Sequence, residues 1–364
     1  MNLQRKKKPG IGIGVILLLG LTACAPASPK SESVPETQKA EAVSAESQTD
    51  VSDQGQLTSE SFTIATINKM DGIPWFTRTE QGVKEFASGH TNVKAFIQAP
   101  PKVDAALQNQ MLEDMISQKV DAICVTPFQS EPLEPVLKKA MEQGIVVVSH
   151  EAADQKNVDF DIEPFNNKDF GEHLMQELAA RMGEEGEYVI FVASLTSKTH
   201  NEWADAAVAY QKEHYPNMKS VGELVETYDD SQKAYDRMKE IMAKYPNLKG
   251  MQGSAATDIV GAGQAVEEAG LQDKISVVGV SLPSMVGELL ETGAVDLASS
   301  WDPALSGKAM NAIALMILEG KRDELKEGVD IGIPGYDNLK QDGKVFYGQA
   351  WQDFLKENYT QFEF

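Results

Sequence analysis

The chain has 364 residues and a net charge of −22 at pH 7, because 55 acidic side chains outnumber 33 basic ones. A protein this acidic repels the phosphate backbone of nucleic acids, so the charge argues against nucleic-acid binding. With 42% hydrophobic residues, the chain can bury a core sufficient for one large unit or two lobes.

The first 23 residues have the pattern of an export signal. Four basic residues at 5–8 precede an apolar run at 11–21, and no acidic residue occurs before Cys24. The run of about eleven residues is shorter than the roughly twenty that span a bilayer, which indicates a cleaved signal peptide over 1–23. Without the four basic residues of this peptide, the net charge changes from −22 to −26.

Residues 21–24, Leu-Thr-Ala-Cys, resemble the lipobox of bacterial lipoproteins. The resemblance implies that Cys24 becomes a lipidated first residue, which anchors the chain on the extracytoplasmic side of the cell membrane. An ordinary secretory signal that contains a cysteine is the alternative. The only other cysteine, Cys124, lies in an apolar run and is predicted to be a buried thiol.

Residues 24–60 have the composition of an acidic, disordered tether. Ser, Glu, Thr, Gln and Ala dominate this segment, and it contains no aromatic residue. Such a segment cannot bury enough apolar surface to offset the entropy of ordering it. We expect it to hold the folded body about 30–40 Å from the membrane.

From residue 62 onward, short apolar runs alternate with segments of helical periodicity. In the first series we predict strands at 62–67, 93–97, 122–126 and 145–149, with helices at 75–86, 103–118 and 133–143. After a helix at 169–182, the second series has strands at 189–192, 220–225, 250–252, 277–280 and 295–299, with helices at 202–215, 231–245, 258–269 and 284–292. This alternation predicts an α/β fold of two doubly wound lobes with parallel sheets.

The segments that follow each strand are the predicted site, because open α/β sheets bind ligands at the carboxyl ends of their strands. The strand–helix turns lack the glycine patterns that hold phosphates, and no H-E-x-x-H or G-x-S-x-G motif occurs. The sequence therefore predicts a binding protein with no catalytic residues, metal or cofactor.

Several strings, in their order along the chain, resemble the solute-binding proteins of ABC importers. They are TIATINKMDGIPWF at 63–76, VDAICVTP at 120–127, GIVVVSHE at 144–151, VVGVSLPS at 277–284, SWDP at 300–303 and YTQFEF at 359–364. The resemblance spans 62–364. It is to the ribose-type group (cluster B, periplasmic binding protein type 1), in the branch of rhamnose- and autoinducer-2-binding proteins.

The resemblance implies two lobes that close like a hinge on a sugar or sugar-like molecule, with autoinducer-2 among the candidates. The protein would act as a monomer and deliver this ligand to an ABC permease in the membrane. Three crossings near 163–167, 300–303 and 345–348 would join the lobes. The first lobe would comprise 61–166 and 300–364, and the second 167–299.

The resemblance also implies ligand contacts at particular positions. Lys69 falls where the autoinducer-2 branch has a lysine, and Glu151 where it has an aspartate; together they suit a polyhydroxylated ligand. The next aspartate and glutamine of the branch fall on Thr199 and His200, and its proline and alanine positions fall on Ser254 and Ala256. Loss of the second carboxylate leaves the ligand open between pentoses, hexoses, deoxysugars and autoinducer-2.

The residues themselves add further candidates. Trp75 and Phe76 follow the first strand, where they would stack on a sugar ring or anchor the core. Asn201 and Trp203 lie in a cluster with Thr199 and His200 after the strand that begins the second series, and we expect at least one of the four to contact ligand. Asp302 lies at a predicted crossing, where it would contact ligand or bond within the hinge.

A sensor is the alternative function, in which the closed form would contact a receptor kinase or a chemoreceptor. A secreted hydrolase is a third hypothesis, which the lack of a nucleophile motif disfavours.

Overall fold

The computed structural model describes residues 61–364, and the predicted signal peptide, Cys24 and the tether lie outside this range. The strands are β1 (Phe62–Ile67), β2 (Val93–Gln98), β3 (Ala122–Val125), β4 (Val146–Ser149), β5 (Phe160–Glu163), β6 (Gly186–Val192), β7 (Met218–Ser220), β8 (Val225–Glu226), β9 (Leu248–Gly253), β10 (Ser276–Gly279), β11 (Leu297–Ser300), β12 (Lys340–Asp342), β13 (Val345–Tyr347) and β14 (Gln352–Phe354). The α-helices are α1 (Pro74–Gly89), α2 (Ala105–Gln118), α3 (Ser130–Glu142), α4 (Asn167–Met182), α5 (Lys198–His214), α6 (Ser231–Lys244), α7 (Asp258–Glu268), α8 (Pro283–Thr292) and α9 (Pro303–Leu318). None of these helices is both long and apolar enough to cross a membrane.

The strands form two sheets, each the centre of one lobe. The first has the order β12-β13-β5-β4-β3-β1-β2; the second has the order β14-β11-β10-β9-β6-β7, with β8 also paired to β6. All neighbours are parallel except two edge strands, β12 on β13 and β14 on β11. This arrangement confirms the predicted α/β fold with two doubly wound, mainly parallel sheets.

Both faces of each sheet are covered, which explains why the central strands read as continuous apolar runs. In β4, Val148 packs into the cluster that includes Met310 and Ile313 of α9, whereas its neighbour Val147 joins the cluster of α2 and α3. Successive strand residues point to opposite faces, so one run supplies two cores. Cys124 on β3 is fully buried, as predicted, and burial raises the pKa of its thiol.

Residues 352–364 correct the predicted lobe boundary, which assigned all of 300–364 to the first lobe. β14 pairs antiparallel with β11 of the second sheet, and Phe354 is fully buried in the core of that lobe. The N–H of Ser284 on α8 also donates to the carbonyl of Phe364. The chain therefore makes its third passage between the sheets at 348–351, because 345–347 is still a strand of the first sheet.

Candidate ligand-binding site

A small cavity lies between the two lobes, at the carboxyl ends of their strands, with about 280 Å³ of unfilled space that includes open solvent. From the first lobe the lining residues are Lys69, Ile73, Trp75, Phe76, Glu151 and Trp301; from the second they are His200, Trp203, Asp229, Ser254, Ala256 and Val280.

Lys69 is the cation of the cavity and is 5% exposed. Its Nζ lies 3.8 Å from a carboxylate oxygen of Glu151 in its own lobe and 3.5 Å from one of Asp229 in the other lobe. Burial alone would lower the pKa of Lys69, but the charges of Asp229 and Glu151 outweigh it and raise that pKa. Lys69 is therefore a cationic donor at the boundary between the lobes.

His200 presents a neutral ring to the cavity from the first turn of α5. It is 3% exposed, and burial holds its pKa well below the usual value. The backbone N–H of Ala193 donates to Nδ1 over 3.3 Å, so the proton of the neutral ring is on Nε2. His200 therefore offers a neutral N–H donor, and its ring stacks on Trp203 at 5.4 Å.

Aromatic side chains form the apolar wall. The rings of Trp75 and Trp301 meet edge to face at 4.8 Å, and Trp203 lies 6.2 Å from Trp301. Within residues 61–364, the buried Nε1 of Trp301 and Oγ of Ser254 have no hydrogen-bond partner. The wall thus combines apolar rings with buried polar atoms that a ligand can satisfy.

Residues 64–322 match the model of a family described as periplasmic binding protein domain. The chain belongs to this family. Periplasmic binding proteins act outside the cytoplasm and bind solutes rather than transform them, so the chain is an extracytoplasmic binding protein and not an enzyme. The family that the sequence resemblance implied is therefore confirmed.

Relatives of this binding protein support the assignment. It is 28% identical over 285 residues to a D-ribose/D-allose-binding protein of Pseudomonas aeruginosa, covering 75% of this chain and 87% of the relative. It is 27% identical over 255 residues to a D-apiose import binding protein of Actinobacillus succinogenes, covering 66% and 78%.

Solved structures show the same fold. An ABC transporter solute-binding protein from Clostridium phytofermentas with bound L-rhamnose has a TM-score of 0.75 at 21% identity, over 83% of this chain and 98% of that one. LsrB from Clostridium saccharobutylicum in complex with AI-2 also has a TM-score of 0.75, at 18% identity, over 83% and 100%.

Three of the ten predicted site residues of the binding protein do not line the cavity. Asn201 donates to the carbonyls of Ser194 and Ser197 and so stabilises its own turn. Thr199, 1% exposed, is buried beside His200 but outside the lining. Asp302 caps α9 and binds Arg78, which is the bonding within the hinge that the sequence predicted as its alternative role. The other seven predicted residues lie on the cavity wall: Lys69, Trp75, Phe76, Glu151, His200, Ser254 and Ala256.

Arg78 explains why Asp302 is held away from the ligand cavity. The Nε and Nη2 atoms of Arg78 donate to the two carboxylate oxygens of Asp302 at 2.8 and 2.6 Å, a bidentate pair between α1 and the start of α9. One of these oxygens also accepts the N–H of Ala304. These bonds hold the entry to α9 against α1.

Five lining residues were not among the ten predicted ligand contacts: Ile73, Trp203, Asp229, Val280 and Trp301. The rule that ligands bind at the carboxyl edge indicated the segments of four of them, and Val280 is the last residue of the strand predicted at 277–280. The rule could not indicate which side chain turns inward. At Asp229 that choice depends on a left-handed backbone, with φ of 58° at Tyr228 and 53° at Asp229.

Proposed function

We propose that this binding protein captures one small sugar or sugar-like polyol by closing its lobes, and delivers it to an ABC permease. The observation that carries the proposal is the composition of the cavity wall. The buried Lys69–Glu151 pair lies beside the rings of Trp75 and Trp301 at the boundary of the two lobes. A sugar ring needs polar groups for its hydroxyls and apolar faces for its C–H groups, and both are thus present in one cavity.

The polar groups suit hydroxyls in particular. A carboxylate such as Glu151 accepts hydrogen bonds from two hydroxyls, while Lys69 and His200 donate to oxygens. Each hydroxyl that closure buries without a partner costs about 1–3 kcal/mol, which is a physical basis for selectivity. The named ligands of the two relatives, D-ribose or D-allose and D-apiose, are small polyols and support this ligand class.

Closure links the bound ligand to the permease. A ligand that contacts both lobes shifts the population toward the closed form, which a permease can then distinguish from the open form. In this proposal Cys24 and the tether 24–60 keep a monomeric body beside the permease. A Cys24→Ala variant should leave the membrane fraction of the producing cells, and a variant that stays membrane-bound would refute the lipid anchor.

The test is a thermal-shift screen of the purified protein against D-ribose, D-allose, D-xylose, L-rhamnose, D-tagatose and autoinducer-2, with amino acids as a second panel. A ligand at 100 times its Kd adds about 2.7 kcal/mol to the free energy of unfolding, so the melting temperature should rise. If amino acids raise it and no polyol does, the proposal is wrong.

Glu151 provides a matched variant for this screen. Glu151→Gln keeps the side-chain shape but removes the charge beside Lys69, and should weaken sugar binding by on the order of tenfold. Glu142→Gln is the control, because Glu142 is exposed on α3 and pairs only with Lys138 among the described residues. It should bind as the unaltered protein does.

A further inference from the structure

Asp229 lies in a short loop between β8 and α6 that is fixed at both ends. The N–H groups of Thr227 and Tyr228 donate to the carbonyls of Val192, the last residue of β6, and of Ala193, which follows it, at 3.0 and 2.8 Å. At the far end, Asp230 caps α6 by accepting the N–H of Lys233. The loop is therefore a rigid support for the side chain that it carries.

The backbone of this loop has an unfavourable conformation that turns one carboxylate inward. Tyr228 and Asp229 both adopt the left-handed region, which residues other than glycine seldom occupy. Tyr228 stays at the surface, 39% exposed, whereas Asp229 is 6% exposed on the cavity wall. Strain of this kind persists where the surroundings hold it and is concentrated at ligand sites.

The carboxylate of Asp229 has unused capacity to accept hydrogen bonds. Its Oδ2 is buried and has no hydrogen-bond partner in the part of the chain that the structure describes. The ammonium of Lys69 is 3.5 Å away, beyond the usual hydrogen-bond range of about 2.7–3.2 Å, and it is shared with Glu151. Two carboxylates thus face one ammonium, and a hydroxyl-bearing ligand can supply the donors that Lys69 does not.

We infer that Asp229 is a specificity-determining residue, which recognises one hydroxyl of the ligand from the second lobe while Glu151 binds the ligand from the first. This inference rests on the proposed sugar-binding function. The ligand then connects two carboxylates that belong to different lobes, and Lys69 donates between them. Both lobes must meet the same molecule, so a sugar without the hydroxyl that faces Asp229 binds poorly.

The test is calorimetric titration of D-ribose, D-allose, D-xylose and L-rhamnose into the full-length protein, Asp229→Asn and Asp230→Asn. Asn tolerates the left-handed backbone and keeps the side-chain shape, so Asp229→Asn should fold. Loss of a charge-assisted hydrogen bond should weaken its Kd for the tightest-binding sugar by on the order of 10- to 100-fold. Asp230→Asn is the control, since Asn caps helices as well as Asp does, and its Kd should not change.

Monodeoxy derivatives of the same sugar separate direct recognition from a structural role. One derivative should bind the unaltered protein on the order of 10- to 100-fold more weakly than the parent sugar. The same comparison in Asp229→Asn should show a smaller loss, because the neutral amide oxygen of Asn makes a weaker hydrogen bond to that hydroxyl than the carboxylate does. An unchanged Kd in Asp229→Asn, or equal losses for every derivative in both proteins, would overturn the role of Asp229. If the unaltered protein binds neither these sugars nor any other polyol of the thermal-shift panel, the proposed function itself fails and the role of Asp229 with it.

Discussion

Asp161 and Glu163 are buried carboxylic acids on β5, immediately before the chain first passes between the lobes. Asp161 is 1% exposed and Glu163 is fully buried. Oδ1 of Asp161 accepts the hydroxyl of Ser149 at 2.6 Å, but its other oxygen and both oxygens of Glu163 have no partner within 61–364. Burial raises the pKa of Asp161 to about 7; burial and the charge of Asp161 raise that of Glu163 well above its usual value.

This pair predicts a loss of stability as the pH rises. Between the unfolded pKa of about 4 and the folded pKa of about 7, the folded state holds more protons, so the free energy of unfolding falls across that window. Asp161→Asn cannot ionise. Its free energy of unfolding should equal that of the unaltered protein near pH 5. At pH 8 it should be larger by about 1–3 kcal/mol.

Urea unfolding at the two pH values measures this difference. Ser149→Ala serves as the control, because it removes the hydroxyl that bonds to Asp161 and should make ionisation costlier rather than cheaper. A free energy of unfolding that changes equally with pH in Asp161→Asn and in the unaltered protein would exclude Asp161 as the titrating group.

At the scale of elements, the start of α9, which follows the second crossing between the lobes, packs closely against α1. Gly82 faces the backbone of Ala304, and a Cβ at Gly82 would lie 2.0 Å from the carbonyl oxygen of Ala304. Gly307 makes a second close approach, to the backbone of Thr79. Two glycines thus let α9 lie against α1 directly behind Trp75 and Trp301.

Gly82→Ala should therefore separate the two helices. The clash is with backbone and cannot be relieved by a rotamer change, so we expect a loss of about 1–3 kcal/mol in the free energy of unfolding. Gly89→Ala at the end of the same helix is the matched control, since a Cβ there meets no atom within 4 Å. Chemical denaturation of both variants gives the comparison, and equal midpoints would show that α9 adjusts freely.

The sequence indicated the buried central strands of the first sheet better than several strands later in the chain. β1, β3 and β4 lie within one residue of their predicted bounds, because their buried runs are continuous. β5, β12, β13 and β14 were not predicted; each has only three or four residues, and all but β13 contain charged side chains. Their pairing depends on distant strands, such as β14 on β11, and no local pattern carries that information.

The site shows the same division between local and distant information. Lys69, Glu151 and His200 lie on the cavity wall, since position after a strand places a side chain at the carboxyl edge. Asp302 follows a strand too, yet Arg78, which is far away in sequence, binds its carboxylate. Asp229 depends on a left-handed turn that composition does not reveal.

At the scale of the whole molecule, few direct polar contacts within residues 61–364 cross between the lobes near the cavity mouth. Besides the pairing of Lys69 with Asp229, the side-chain N–H of Gln129 after β3 donates to the hydroxyl of Thr196 after β6, at 2.7 Å. This second bond lies at the surface, and neither of its residues lines the cavity. It can therefore influence closure without touching the ligand.

Gln129→Ala should shift the lobes toward the open form. The lost hydrogen bond is worth about 0.5–1.5 kcal/mol, and if only the closed form holds sugar tightly, the Kd should rise by about 2- to 12-fold. Small-angle scattering should show a larger radius of gyration without sugar and an unchanged one at saturating sugar. Gln232→Ala is the control, because among the described residues the side chain of Gln232 bonds only to Asp236, within α6. A Kd that rises equally in both variants would mean that the Gln129–Thr196 bond has no part in closure.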